Sequence, residues 1–293
     1  VAAPVLVSSH TAYRGALTIA GDGGLVDLGF MLLAVGSSTP TSWSITLTSG
    51  TSGHWTTPTD GTFPTPTSTG DTADLNGGPY VFNVTATNAD GTSNTCVLTI
   101  SIRADTYSIS SNADVSAARG TAGANNTTLC GKTLEVVRAC TGFSTVGAGR
   151  LYLSRHNATA TNSSRLTITN EDNEYPAEIE CIQVENSNAV TINDTYTTAT
   201  ASAQAHHLHF NQNDFFTGET CGDIVVNRPV IRGPAGEVTN TKNGIYVHPA
   251  CDGSFIFRDV DMTWVTNGIR SMKPWCCTMS SCPFRSGQKE TLS

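Results

Sequence analysis

The most pointed chemistry in the chain lies in FIFRDVDMTW, residues 255–264. Successive strand side chains point to opposite faces, so Phe255 and Phe257 are expected to face a core, and after a bend so are Val260, Met262 and Trp264. Asp259 and Asp261 then project together to the outside, about 6–7 Å apart at a rise of roughly 3.3 Å per residue. That lies near the ~6.5–9.5 Å separation of paired carboxylates in inverting glycoside hydrolysis. Asp259 and Asp261 are therefore the candidate acid and base, and adjacent Arg258 the group that would meet charge on a substrate. The same trio also reads as a solvated cluster of mutually compensating charges.

Three further groups could hold a ligand. In GIYVHP, Tyr246 and His248 share an outward face, and an outward aromatic suits stacking on a sugar. Arg285 is expected one repeat beyond Arg258 on the same stack and joins them as a glycan-binding candidate. In HHLHF, Leu208 and Phe210 turn inward, which puts His207 and His209 on a common outer face. Two imidazoles at that spacing could hold a metal, but no carboxylate or third His follows at a close interval, so no metal or cofactor is expected. His54, Trp55 and Phe63 sit in a proline-flanked loop, where binding and local packing are both open readings.

These residues must be positioned by strands. The 293-residue chain is 38% hydrophobic and 14% charged, with 27 Gly and 12 Pro and an excess of Thr, Ser and Asn, a composition of turns and strands rather than helices. Its net charge of −8 and only 16 scattered Lys and Arg exclude a phosphate-backbone binder. No apolar run is long enough to cross a membrane as a helix. The nine Cys fit no zinc spacing. They read either as disulfides of an oxidising, extracellular setting or as small hydrophobes buried in a β core. The sequence opens on VAAPVLVSS without Met, as a processed or trimmed product would.

Trp43, Ile45 and Leu47 alternate with polar residues as in a half-buried strand. In PYVFNVTATNADGTSNTCVLTISI, Phe82, Val84 and Ala86 alternate with Val81, Asn83 and Thr85, NADG reverses the chain, and Val97 to Ile102 returns. This hairpin resembles the closing strands of bacterial immunoglobulin-like or cadherin-like modules over residues 35–103, and implies a β-sandwich that serves as a spacer or mount.

From Ala104 the texture changes. DTYSISSNADVSAARGTAGANNTTLCGKTLEVV resembles the entry segment of pectate-lyase-like right-handed parallel β-helices, with Ala113 to Arg119 the single helical stretch, placed to cap a solenoid. Strand cores then recur: LEVV, LYLS, LTITN, VTIND, LHFN, DIVVN, GIYV and FIFRDV. Asn170, Asn193, Asn211 and Asn227 end several of them. Asn tolerates left-handed bends and can form stacked amide ladders. NGIYVHP at 243–249 is echoed by NGIRSMKP 24 residues on, and FIFRDV by CPFRSG with Phe257 and Phe284 offset by 27. A period in the twenties with Gly and Asn corners suits a three-faced solenoid. The motifs NTD, DD, GHG and RIK of polygalacturonase-like hydrolases are missing, so the resemblance implies the fold and no catalytic residues.

The expected architecture is thus all-β: residues 1–103 with an immunoglobulin-like sandwich, and 104–293 as a parallel β-helix, either cut from a longer protein or capped by something else at its C-terminal end. The combination resembles phage tailspike and fibre-type proteins. It implies an extracellular or virion-surface appendage that recognises a polysaccharide or cell-surface glycan. Its other expected partners are copies of itself, in a homotrimer or larger assembly, or other virion proteins. A structural or adhesive subunit without catalysis and a secreted polysaccharide lyase or glycoside hydrolase are the alternatives.

Overall fold

The structure is a computed structural model. It describes residues 2–6, 9–17, 34–35, 39–50, 55–56, 67–68, 79–120, 126–137, 140, 143, 149–171, 176–198, 206–233, 243–263, 265, 267–271 and 277–280. The chain forms two compact units, Val1–Ser108 with Val137–Ala139, and Ile109–Val136 with Cys140–Ser293. Both are built from strands.

In the first unit, Tyr80–Asn88 runs antiparallel to Ser42–Ser49 on one side and to Cys96–Ile109 on the other. His10–Leu17 adds a parallel strand beyond. Phe82 faces Leu98 and Val84 faces Cys96, the pairing expected from the alternation. Period-two patterning buries Tyr80, Phe82, Val84 and Ala86 completely, against Leu98 and Ile100, with Trp43 and Leu47 packed at the edge. The turn forms as its residues dictate: Asn88 Oδ1 accepts from the Asp90 amide, and Gly91 takes a positive φ of 139°. Val5–Leu6 pairs with Ala34–Val35, the fragments of the two apolar runs seen near the start. His54 and Phe63 lie outside the described residues.

The second unit is three parallel sheets. The first holds Thr133–Val136, Leu166–Asn170, Asn188–Asn193, Gly222–Asn227, Phe255–Arg258 and Cys277–Ser280. The second holds the short strands Glu178–Ile179, Tyr196–Thr198, Val230–Arg232 and Asp261–Thr263. The third holds Arg150–Ser154, Cys181–Glu185, His206–Asn211, Asn243–Val247 and Asn267–Ser271. From Leu166 onward the chain visits first, second and third sheet in that order, again and again. Each strand lies parallel to its counterpart one circuit later, so every circuit buries its apolar side chains against the next. Ile182, Leu208 and Ile245 form one such column and Ile224 and Phe255 another. Phe210 packs on Phe255 and Phe257 at centroid distances of 5.4 and 6.2 Å.

The echo of NGI is real stacking: Asn243 pairs with Asn267 and Ile245 with Ile269. The echo of Phe257 and Arg258 is not. Phe257 pairs with Met279 and Arg258 with Ser280, so Ser280 occupies the place assigned to Arg285. Circuits differ in length, with Phe255 opposite Cys277 but Leu208 opposite Ile245, because loops of unequal size interrupt the corners. A fixed offset therefore misplaces the stack.

The helix spans Asn112–Arg119, one residue longer than expected. Ser111 caps it and Asp114 completes the capping box. Its ends bond to the edge strand of the third sheet. The Asn112 amide donates to Arg150 O and accepts from Tyr152 N, and Arg119 Nη1 donates to Ser154 O, all at 2.7–2.9 Å. Backbone groups that would template another strand are thereby occupied.

Candidate functional site

The FIFRDVDM segment crosses a corner rather than running as one strand. Phe255, Phe257, Val260 and Met262 are buried as expected, and Trp264 lies outside the described residues. Arg258 ends the first-sheet strand, Asp259 sits in the bend at φ 52°, and Asp261 starts the second-sheet strand. Strand spacing thus does not measure the separation of the two carboxylates. Asp261 is engaged by Arg232 Nη2 at 2.6 Å, and Arg258 Nη1 reaches Asn227 Oδ1 at 3.4 Å. Asp259 is exposed and follows a stacked series of left-handed corner residues, Asp194, Arg228 and Asp259. Arg228 holds Asp194 through two bonds of 2.6 and 2.7 Å. That pairing, with Asp259 nearby, raises the guanidinium pKa further above its ordinary value. The Asn ladder exists here too, Asn227 Nδ2 donating to Asn193 Oδ1 at 2.8 Å. At this corner the left-handed residues are Asp194 and Arg228, which follow Asn193 and Asn227. The corner is a column of paired charges.

The outer face of the third sheet gathers a different set. Register aligns Tyr152, Gln183, His209, Tyr246 and Arg270 in one outward row. His206 stacks on Tyr246 with centroids 4.4 Å apart and ring planes 16° from parallel, and His209 meets His206 edge-on at 4.8 Å. His248 stands T-shaped to Tyr246 at 6.3 Å, so the two residues do share a face. Arg270 is exposed, 5.9 Å from the Tyr246 ring centre. Leu208 and Phe210 turn inward, as expected, but His207 is fully buried and His206 takes its anticipated place beside His209. Burial, then electrostatic repulsion involving His206, His248 and Arg150, push the His209 pKa down to about 4. It is a neutral imidazole over the physiological range. Burial and the Glu185 carboxylate, which accepts from its hydroxyl at 2.9 Å, raise the Tyr152 phenol.

Where the strands His206–Asn211 and Asn243–Val247 of this row end, the chain opens a pocket of about 380 Å³, lined by Asn211, Gln212, Asn213, Asp214, Phe215 and His248. It exists because the corner from third to first sheet widens. One circuit turns there with only residues 186–187, and the next uses residues 212–221. Asn186, fully buried at φ 42°, anchors the wide loop: its Oδ1 accepts from Asn213 N at 2.7 Å and its Nδ2 donates to Asn213 O at 3.1 Å. Arg155 braces the far side, paired with Glu219 and lying 4.0 Å from the centre of the Phe216 ring. Asn188 Nδ2 ties the loop's end through Thr220 O at 3.0 Å. Held this way, Phe215 is 92% exposed. The pocket thus places an aromatic ring in water beside amides, a carboxylate and an imidazole.

Of the residues singled out from the sequence, His248 lines this pocket and Tyr246 stands next to it, whereas Phe215 and the amides of residues 211–213 were not singled out as ligand-binding. The only available signal was the polar NQND run before a Phe pair. Arg285 lies outside the described residues. Among the described residues, no three His, Cys, Asp or Glu converge as metal ligands. The described Cys are mostly interior: Cys221 and Cys251 are fully buried, their sulfurs 3.9 and 3.7 Å from Val184 O and Phe210 O.

No protein family matches the chain, and neither the curated proteins nor the solved structures contain a match. No helix among the described residues is long and apolar enough to cross a membrane.

Proposed function

We propose that the second unit is a right-handed parallel β-helix, the first an immunoglobulin-like mount, and the whole an extracellular or virion-surface appendage that recognises a polysaccharide. The repeated visits to three parallel sheets support the β-helix, and right-handedness follows the near-universal preference of parallel crossovers. Recognition is supported above all by the exposed Phe215 beside the amide-lined pocket that His248 completes. The row from Tyr152 to Arg270 extends that pocket along the stacking axis, so successive sugars can meet successive circuits. A stiff repetitive face suits a repetitive ligand. Binding is favoured over cleavage because Asp261 and Arg232 neutralise one another at the corner, leaving no free carboxylate pair there.

Affinity electrophoresis of the full chain in gels containing polysaccharides tests this reading. Tyr246→Ala and His248→Ala should each weaken retention, while Asp259→Asn combined with Asp261→Asn should leave it unchanged. Retention lost in the Asp double variant but kept in the other two would move the site to the corner.

A further inference from the structure

The polar atoms around Phe215 are oriented by bonds of their own, and this defines what they can still offer a ligand. Asn211 Nδ2 is committed to Glu185 Oε2 at 3.1 Å, which leaves Asn211 Oδ1 as an acceptor. Gln212 Oε1 accepts from Cys221 N at 3.1 Å, so its amide nitrogen remains a donor. Asn213 Oδ1 accepts from Phe215 N at 3.1 Å, leaving Asn213 Nδ2 as a donor. His248 Nδ1 accepts from Ala250 N at 3.3 Å, which leaves Nε2–H as the ring's donor. Asp214 is exposed and adds two acceptor oxygens. Among the described residues the lining therefore mixes donors and acceptors, carries one carboxylate, and includes no Lys or Arg.

We propose, building on the glycan-recognition reading, that this pocket takes a neutral sugar residue with adjacent free hydroxyls, and rejects uronates and other acidic sugars. Each sugar hydroxyl donates one hydrogen bond and accepts others, so a pair of neighbouring hydroxyls matches the Asp214 carboxylate and the amide and imidazole donors together. The apolar C–H face of the ring lies on Phe215. A uronate would set its carboxylate against Asp214 with no Lys or Arg among the described lining residues to offset it, a like-charge contact that disfavours binding. At about 380 Å³ the pocket is near the small end of the ~300–1,000 Å³ range for ligand sites, suited to a sugar residue held at one point of a longer chain.

The test is binding of the full chain to two immobilised sets of polysaccharides. The neutral set is dextran, galactomannan and amylopectin, and the acidic set is polygalacturonate, alginate and hyaluronan. A neutral member should bind and the acidic members should not. Phe215→Ala should weaken binding about tenfold, and Asp214→Ala by a similar factor or more. Both side chains are exposed, so circular dichroism should show an unchanged fold. Asp214→Lys should gain binding to an acidic member. Preference for an acidic polysaccharide, lost in Phe215→Ala, would overturn the neutral-sugar assignment and leave glycan recognition standing. Neutral binding indifferent to both alanine variants would remove the site from this pocket. Failure of all six polysaccharides to bind would overturn the assignment and the glycan reading together.

Discussion

Asn186 should be the residue on which the pocket's shape depends most. Replacing it with Ala removes two hydrogen bonds to Asn213, of 2.7 and 3.1 Å, each worth a net ~0.5–1.5 kcal/mol. It also places a residue poorly suited to φ 42° in a left-handed bend, at a further cost of about 1 kcal/mol. The sum is about 2–4 kcal/mol, or roughly 4–16 °C in Tm for a unit of this size. Asn186→Gly accepts the bend and loses only the hydrogen bonds, so it should fall about 1 kcal/mol short of the Ala variant's loss. Asn186→Asp keeps the acceptor for Asn213 N but sets a buried carboxylate oxygen against Asn213 O, so it should lose at least as much as the Gly variant. Urea unfolding followed by circular dichroism reads all three. Well below their midpoints, the Ala and Gly variants should still bind glycan more weakly, because loop 212–221 has lost its anchor. An Asn186→Ala protein with the parent's midpoint and affinity would refute the view that this side chain builds the loop.

Two other perturbations probe the stack. A Cβ on Gly222 would drive into the Gly253 backbone of the next circuit, with Gly253 N only 2.7 Å away, so Gly222→Ala should cost about 3 kcal/mol or more in thermal unfolding. Gly218→Ala, where no atom lies within 4 Å but φ is +81°, should cost only about 1 kcal/mol. His156 is buried, and desolvation with the nearby Arg119 charge lowers its pKa to about 4. The unfolded chain, titrating near 6.5, then binds more protons than the folded one between those values. Stability is therefore full above about pH 7 and falls as pH drops toward 4, by at most about 1.4 kcal/mol per pH unit for this imidazole. His156→Gln should flatten that slope, and an unchanged pH profile of the unfolding midpoint would exclude it as a contributor.

What the sequence decided was the alternation. LTITN, LHFN, DIVVN and FIFR bury their apolar positions as period-two strands, because which face a side chain takes depends only on its neighbours along the chain. The hairpin turn at NADG and a helix from Ala113 to Arg119, found as Asn112–Arg119, were legible for the same local reason. The repeat of NGI identified one pair of stacked strands. The second sheet was not visible, since strands of two or three residues such as Glu178–Ile179 carry no period. Arg258 opposite Ser280 was equally hidden, because loop lengths between circuits set the stack and no local pattern encodes them. The strand assumed through Asp259 was broken by a corner, in which Asp259 itself takes the left-handed conformation. At Phe215 and Phe216 the chain offers two identical neighbours in one loop. Only the tertiary structure separates them, because Arg155, in the bend after a strand two circuits earlier, captures one ring and leaves the other in water.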